Sequence, residues 1–521
     1  MRFFNTAGPV NPRDHYTLPF RIDREEIYSL IRQKKYFMLH APRQTGKTTG
    51  LLELVNWINQ EEERYKALYV NVETAQAARE KVEAGIEAIL REFQSGVRWF
   101  LGKDASFPNV DELLRKGAYK ALSALLEGWA EASHQQDGRH LVIFIDEIDS
   151  LVGDTLLSVL RQLRSGYLRR PDGFPQSIGL VGVRDVRDYR IFSSVENAVV
   201  LGGSAFNIKA ESIRLQDFSY DEVAALYRQH TEETGQVFTP EAIERAFYWT
   251  QGQPWLVNAL AYQAAFRDVK DRAVSITADH IEAAKETLIQ RRDTHLDVLI
   301  DRLEEKRVRQ VIEPLLTGDD APEHLPIDDI LYVRDLGLIK AVGHQIEIAN
   351  PLYGEVVPRE MVWSTQQMMA QDPAWYVRKD GSLDMSRLLE AFQAFFREHS
   401  QAWLERFAYK EAGPHLLLMA FLQRIVNTGG QIFRGYGLGR KRMDILVVWK
   451  GHRYALELKV RRGEQTKEEG LAQLDGYMDT SRAEEGHLLL FDRRPGRTWE
   501  EKIYRDKAVL PSGRTALVWG M

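Results

Sequence analysis

The nine residues Ala41-Pro42-Arg43-Gln44-Thr45-Gly46-Lys47-Thr48-Thr49 stand between an apolar run, Tyr36 to His40, and a helical pattern from Gly50 to Asn59. Strand, loop and helix in that order turn successive loop amides toward a helix N-terminus, where unpaired donors and the helix dipole favour an anion. Lys47 adds a point charge and Thr48 a hydroxyl for Mg2+, while Arg43, Gln44, Thr45, Gly46 and Thr49 complete the candidate phosphate cradle. Ala41 occupies the place where G-x-x-x-x-G-K-(S/T) opens with glycine, so the first turn must be one that an alanine adopts.

About 100 residues later comes Leu141-Val142-Ile143-Phe144-Ile145-Asp146-Glu147-Ile148-Asp149, an apolar run ending in acids. Such a run suits a buried parallel strand that delivers carboxylates to the C-terminal edge of a sheet, where ligands of these sheets bind. Asp146 is the candidate for the Mg2+ shell, acting through water. Glu147 is the candidate to orient or deprotonate the water that attacks a γ-phosphate. The two motifs together point to ATP and Mg2+. Further strands are predicted at Leu68 to Val72 and Ile178 to Val183, and the mixed-charge region Ala75 to Gln136 reads as inserted helices whose role stays open.

From Ser219 the strand signals stop. Ser219 with Glu222 forms a capping box, Thr239-Pro240 opens the next helix, Gly252 and Pro254 punctuate a third that runs through Asp268, and Thr277 caps a fourth toward Arg292. The order helix, helix, strand pair over Arg307 to Leu316, Ile327 to Leu338 and Ile339 to Ile348 fits a winged helix, and Trp363 to Leu383 reads as a linker. The GKT loop, the strand ending in Asp146-Glu147, and Gly252-Gln253-Pro254 in the lid resemble the AAA-like P-loop ATPases of the archaeal-type and STAND-related branches. The resemblance covers roughly residues 5 to 360 and implies that the lid and winged helix report nucleotide state downstream. It also implies a sensor at the end of the strand beside Asp146, for which Arg184 is placed. Arg161, Arg164, Arg169 and Arg170 follow the Asp-Glu strand, and an arginine finger is left unassigned among them.

A second constellation lies in the last stretch, Asp384 to Met521. Helices are predicted at Met385 to Glu398 and His415 to Asn427, and strands at Ile445 to Trp449, Tyr454 to Leu458 and His487 to Phe491. Asp444 and Glu457 flank a hairpin that turns near Gly451, so both carboxylates meet at one end of the sheet, and Lys459 shares a strand face with Glu457. Two carboxylates and a carbonyl suit Mg2+ or Mn2+, with a lysine to position the attacking water. Asp444 with Glu457-x-Lys459 resembles the PD-(D/E)XK nuclease superfamily, and Gly439-Arg440 is similar to the Gly-Arg leader seen before the first acid in ATPase-linked members. That resemblance covers about residues 405 to 495. It implies a further acid from an upstream helix, for which Glu411 is nearest, and places Gln473 and Tyr477 as the QxxxY pair of RecB-like nucleases, facing DNA.

The fold expected is therefore α/β: a P-loop parallel sheet (1–215) with helical lid (216–300), winged helix (301–362) and linker (363–383), then a restriction-endonuclease-like α/β domain (384–521). Composition agrees with an ordinary globular chain: 521 residues, 44% hydrophobic and 28% charged. No apolar run approaches the roughly 18 residues that cross a bilayer, and no secretory signal is read at Met1 to Arg13. Zero cysteines exclude disulfides and thiolate ligands, and a cytoplasmic location is expected. The net charge of -6 argues against a nucleic-acid binder, yet Arg434 to Arg462 holds nine basic residues against two acidic, a local +7. Nucleic acid, DNA first, is the expected partner, and a homo-oligomer is left open. Two rivals stand beside ATP-coupled phosphodiester cleavage: an ATP switch without catalysis, and a loading ATPase whose last domain only grips DNA or protein.

Overall fold

The computed structural model describes the chain except residues 20, 103–106, 196, 292–295, 297–300, 318–324, 344, 362–374, 407–413, 415, 416, 420, 423–429, 439, 440, 462–464, 493, 495 and 496. Two compact units emerge: Met1–Arg291 with Asp335–Gly337, and Arg292–Arg334 with Leu338–Met521. The predicted core and lid share the first unit.

The first unit opens with α1 (Arg24–Arg32), β1 (Tyr36–His40), α2 (Lys47–Glu61) and β2 (Tyr65–Asn71). Then come α3 (Val82–Phe100), α4 (Val110–Arg115), α5 (Ala118–Asp137), β3 (His140–Asp146), α6 (Gly153–Ser165) and β4 (Ser177–Gly182). A hairpin of β5 (Arg190–Ser193) and β6 (Ala198–Leu201), a single turn α7 (Gly202–Ala205) and β7 (Lys209–Arg214) complete the sheet region. The sheet order is β2-β3-β4-β1-β7, and every neighbouring pair is parallel.

Because side chains alternate across a strand, β1 feeds two cores. Tyr36 and Met38 join one that holds Ile86, Ile89 and Phe93 of α3 and Leu122, Leu125 and Trp129 of α5. Phe37 and Leu39 join the other, against Ile27 and Ile31 of α1 and Leu51, Leu54, Val55 and Ile58 of α2. The insert whose role the sequence leaves open is thus a structural layer: α3 and α5 pack over the β2 and β3 part of one sheet face and share that core with α6.

Four helices form the lid: α8 (Tyr220–Thr234), α9 (Pro240–Thr250), α10 (Pro254–Tyr262), which runs on as a π-helix over Gln263–Asp268, and α11 (Ala278–Arg291). Ser219 and Glu222 make the reciprocal capping box, and Thr239 caps α9 with Pro240 in its first turn. Gly252 has φ +81°, and its backbone lies so close to Phe218 that a Cβ would stand 1.8 Å from the Phe218 carbonyl oxygen. The Phe218 N–H donates to the Gly252 carbonyl at 2.8 Å, so glycine is required for lid and sheet connection to touch here.

In the second unit, α12 (Lys306–Thr317), α13 (Ile327–Asp335), the antiparallel hairpin β8 (Ile339–Val342) and β9 (Gln345–Ile348), and α14 (Pro351–Met361) follow one another. The predicted linker is not all connector. Tyr376 and Leu383 are buried, the Trp449 indole donates to the Gly381 carbonyl at 2.9 Å, and the Tyr454 hydroxyl donates to the Leu383 carbonyl.

After α15 (Met385–Arg406) come β10 (Gln431–Leu438), β11 (Lys441–Trp449), β12 (His452–Arg461), α16 (Gln465–Ser481), β13 (Glu485–Asp492), α17 (Trp499–Lys502), β14 (Tyr504–Val509) and β15 (Thr515–Gly520). They build a six-stranded mixed sheet of order β10-β11-β12-β13-β15-β14, with parallel pairing only at β12–β13 and β13–β15. Leu474, Tyr477 and Met478 of α16 pack with Leu446, Ala455, Leu488 and Val518, while Phe392 and Phe396 of α15 meet Phe491. Most of the predicted helix at 415–427 lies outside the described residues. Among the described residues no helix is long and apolar enough to cross a membrane.

Candidate functional site

The loop between β1 and α2 sits at the C-terminal edge of the parallel sheet. Gln44 and Gly46 have φ +59° and +91°, and α2 starts at Lys47 with no side chain capping its first amides. Those donors are left for a ligand. Ala41 is buried without a positive φ and its N–H donates to the Gly182 carbonyl, which explains why alanine serves where the pattern has glycine. The Thr45 hydroxyl donates to the Pro42 carbonyl and braces the turn. Arg43 and Gln44 are exposed.

Lys47 is buried, and its ammonium donates to the carbonyls of Ala41 and Pro42, both at 2.8 Å. Burial pulls its pKa down, against the opposing pull of the Asp146, Glu147 and Asp149 carboxylates. β3 brings Asp146 beside the loop. Its Oδ2 accepts from the Thr48 hydroxyl at 2.8 Å and the Tyr69 hydroxyl at 2.9 Å, and its Oδ1 accepts from the Glu147 N–H at 2.9 Å.

A hydroxyl and a carboxylate oxygen side by side are hard donors of the kind that would hold Mg2+, Thr48 directly and Asp146 through water. Glu147 is a non-glycine residue at φ +57°, the kind of strained backbone often stored at functional sites. Burial, then the charges of Asp149 and Asp146, raise its pKa above the ordinary carboxylate range, with Lys47 and Arg43 opposing. A carboxyl so tuned is a better proton acceptor once ionised. Asp149 does structural work, accepting from the Val183 N–H at 3.1 Å.

Beside the loop is a cavity of about 120 Å³, lined by Gln44, Thr45, Gly46 and Thr49, by Phe218, Pro254, Trp255 and Asn258 of the lid side, and by Asn5, Val10, Tyr16 and Arg21. The N-terminal segment is a wall the sequence reading missed. Its Val10 N–H donates to the Thr49 hydroxyl and its Thr6 carbonyl accepts from the Trp255 indole. Phe4 and Tyr16 pack into an aromatic cluster with Tyr227, His230 and Phe238. Arg21 ties loop to lid: it donates to the Thr45 and Gln216 carbonyls, lies 3.5 Å from Glu222 and stacks 4.4 Å from the Phe218 ring. The density of aromatic residues near the N-terminus, Phe3, Phe4 and Tyr16, was the available signal.

Arg184 follows β4, where its guanidinium lies 3.9 Å from Asp335 and donates to the Asp188 carbonyl at 3.5 Å. Arg169 pairs with Glu127, Arg170 stacks on Tyr167, and Arg164 donates to the Ser204 carbonyl. These basic residues are engaged within their own unit, and the arginine finger stays unassigned.

In the second unit Glu457 is buried on β12, with the Lys459 ammonium 2.8 Å from its Oε1. The β11–β12 ladder ends with Ile445 opposite Leu456, the chain neighbours of Asp444 and Glu457. Only the backbone of Asp444 is described, and Glu411 lies outside the described residues, as do Gly439, Arg440 and Arg462. Gln473 is half-buried on α16, and Tyr477, one turn later, is buried among the core residues of that sheet.

Residues 31–189 match the family model described as AAA domain. Among solved structures, the chain is similar to a Walker-type ATPase of Pyrococcus abyssi at 14% identity, over 68% of this chain and 99% of that one, with a TM-score of 0.46. It is also similar to Cdc6p of Pyrobaculum aerophilum (14% identity, 68% and 96% covered, TM-score 0.35) and to the RuvB Holliday junction branch migration motor of Thermotoga maritima (11%, 64% and 94%, 0.32). A search of curated proteins finds no match. With the loop, Lys47, Thr48 and Asp146 assembled on a parallel sheet and the family model spanning them, residues 31–189 form an AAA-type P-loop ATPase domain.

Proposed function

We propose that this chain hydrolyses ATP in its first unit and uses the nucleotide cycle to govern metal-dependent phosphodiester cleavage of nucleic acid, DNA first, in its second. At the ATPase site the loop amides and Lys47 hold the phosphates, Thr48 and Asp146 hold Mg2+, and Glu147 takes the proton of the attacking water. The nucleoside lies in the cavity walled by the N-terminal segment and the lid. Bound Mg2+ would neutralise charge on the β- and γ-phosphates.

The nuclease half rests on one observation: a buried carboxylate, Glu457, with the Lys459 ammonium 2.8 Å from its Oε1. Leaving a carboxylate buried costs several kcal/mol unless a cation compensates it; Lys459 supplies one positive charge here, and a bound divalent ion would supply more. Asp444 and Glu457 hold Mg2+ or Mn2+, and Lys459 positions the water. Gln473 serves on the substrate side, and Glu411 is the further acid. The basic stretch from Arg434 to Arg462 supplies the charge for a polyanionic backbone.

The test is a cleavage assay on single- and double-stranded DNA and RNA with Mg2+ or Mn2+, with and without ATP, run on wild type, Lys47→Ala and Asp444→Ala. Cleavage lost in Asp444→Ala and altered in Lys47→Ala supports the coupling. ATP turnover with no cleavage of any substrate removes the nuclease half and leaves a loading ATPase.

A further inference from the structure

A second group of ligating side chains sits at the opposite end of the parallel sheet from the nucleotide loop. Helix α5 ends in a left-handed turn at Gly138, whose N–H donates to the His134 carbonyl at 2.9 Å, and the chain reverses straight into β3. The last turn of α5 and the first residue of β3 therefore face each other. The rings of His134 and His140 lie 5.0 Å apart and 9° from parallel. The loop leading to β4 brings Asp172 alongside, with its Oδ1 3.8 Å from His140 Nδ1. One ligand atom from each of the three residues falls within 4.8 Å of the others.

The His140 Nδ1 is buried and makes no hydrogen bond. At 3.8 Å Asp172 is too far to accept one, so this nitrogen carries an unmet demand. A tetrahedral centre with bonds of 2.0–2.2 Å sets its ligand atoms about 3.3–3.5 Å apart, close to that separation. Rotation of His134 and Asp172, both exposed, closes the remaining gap of roughly 1 Å without moving the backbone. Lys34 is close enough to oppose a cation, and the Asp172 carboxylate offsets it.

We propose that His134, His140 and Asp172 form a divalent transition-metal site, of the two-imidazole, one-carboxylate class that suits Zn2+, with water completing the shell. Its place in the fold sets its role. The three ligands come from α5, the start of β3 and the loop before β4, so a bound ion staples the inserted helical layer to the sheet, roughly 20 Å along β3 from Asp146. The nitrogen ligands exclude Mg2+, which separates this site from both phosphate-chemistry sites.

The probe is Zn2+ alone, titrated calorimetrically into the full-length, chelator-stripped protein without nucleotide, with Co2+ absorption reporting coordination geometry. Wild type and Lys47→Ala should each take up one equivalent and melt at a higher temperature with Zn2+. His134→Gln and Asp172→Asn, both at exposed positions, should lower affinity on the order of tenfold or more, at least what loss of a supporting partner costs. His140→Gln should do the same if it folds, and the exposed variants decide the matter if it does not. Titrations unchanged in His134→Gln and Asp172→Asn, or no saturable uptake in wild type, would mean an adventitious ion only and overturn the proposal.

Discussion

Asp146→Asn separates the metal-holding role of this carboxylate from its structural one. The wild-type group accepts three hydrogen bonds, from two hydroxyls on Oδ2 and one backbone N–H on Oδ1. An asparagine keeps the shape but has one acceptor oxygen. The Glu147 N–H can only donate, whereas the hydroxyls of Thr48 and Tyr69 can turn and accept, so the amide settles with its oxygen toward Glu147 and its NH2 toward the hydroxyls. All three contacts survive as neutral bonds, each weaker than its charge-assisted parent by about 1 kcal/mol. Relief of a fully buried charge offsets part of that loss, leaving a net destabilisation of about 1–3 kcal/mol. At about 2–4 °C per kcal/mol for a unit of this size, the melting temperature falls by roughly 2–12 °C and the domain stays folded at room temperature. Binding should behave differently. With Mg2+ chelated, the variant binds ATP at least as well as wild type, because an anion beside the triphosphate is gone; with Mg2+ present, the gain in affinity seen in wild type disappears. A fluorescent-nucleotide titration with and without Mg2+, alongside a thermal melt, reads both. An equal Mg2+-dependent gain in variant and wild type would refute the assignment of Asp146 to the metal.

Glu147→Gln should abolish ATP turnover and also stabilise the domain at neutral pH. The folded-state pKa of Glu147 is raised, so its ionisation destabilises the fold as pH climbs from the ordinary value of 4.5 through the raised one, and the variant's advantage in melting temperature should vanish below that window. Turnover retained in Glu147→Gln would remove Glu147 as the base. Gly252→Ala combines a left-handed alanine, about 1–2 kcal/mol, with the loss of the Phe218 hydrogen bond, about 1 kcal/mol, so urea denaturation should show a loss of about 2–3 kcal/mol; an unchanged midpoint would mean the close approach is not maintained in solution. Glu457→Gln should eliminate cleavage while ATP turnover persists, and retained cleavage would show that this carboxylate holds no catalytic metal.

The strands of the parallel sheet that are buried on both faces were legible because burial forces continuous apolar runs: Tyr36–His40 was read to the residue, and β3 and β4 within one residue at each end. Edge strands β7 and β10 escaped for the same reason reversed, while edge strand β2 was found only in its C-terminal half. β7, with sequence Lys-Ala-Glu-Ser-Ile-Arg, lies at the sheet margin with much of it exposed, and β10 carries two glycines that read as turn. At the ATPase site the charged chemistry was visible as motifs, since loop and acid each work through local spacing. Tyr69, Arg21 and the segment around Asn5 and Val10 were not, because their parts depend on contacts across tens to hundreds of residues.

The aromatic cluster around Phe4 also fixes an order of events during synthesis. Phe4 meets Tyr227, Phe238 and Phe266, and Arg2 meets Glu233, all more than 200 residues later in the chain. These residues thus wait for partners that follow them in the chain by more than 200 positions. The sheet, whose final strand ends at Arg214, can assemble before any of α8 to α11 exists. Closure of the cavity must wait for the lid to emerge, so contacts of this sequence separation place the competent nucleotide pocket late in folding, after the core that carries its loop and its acid.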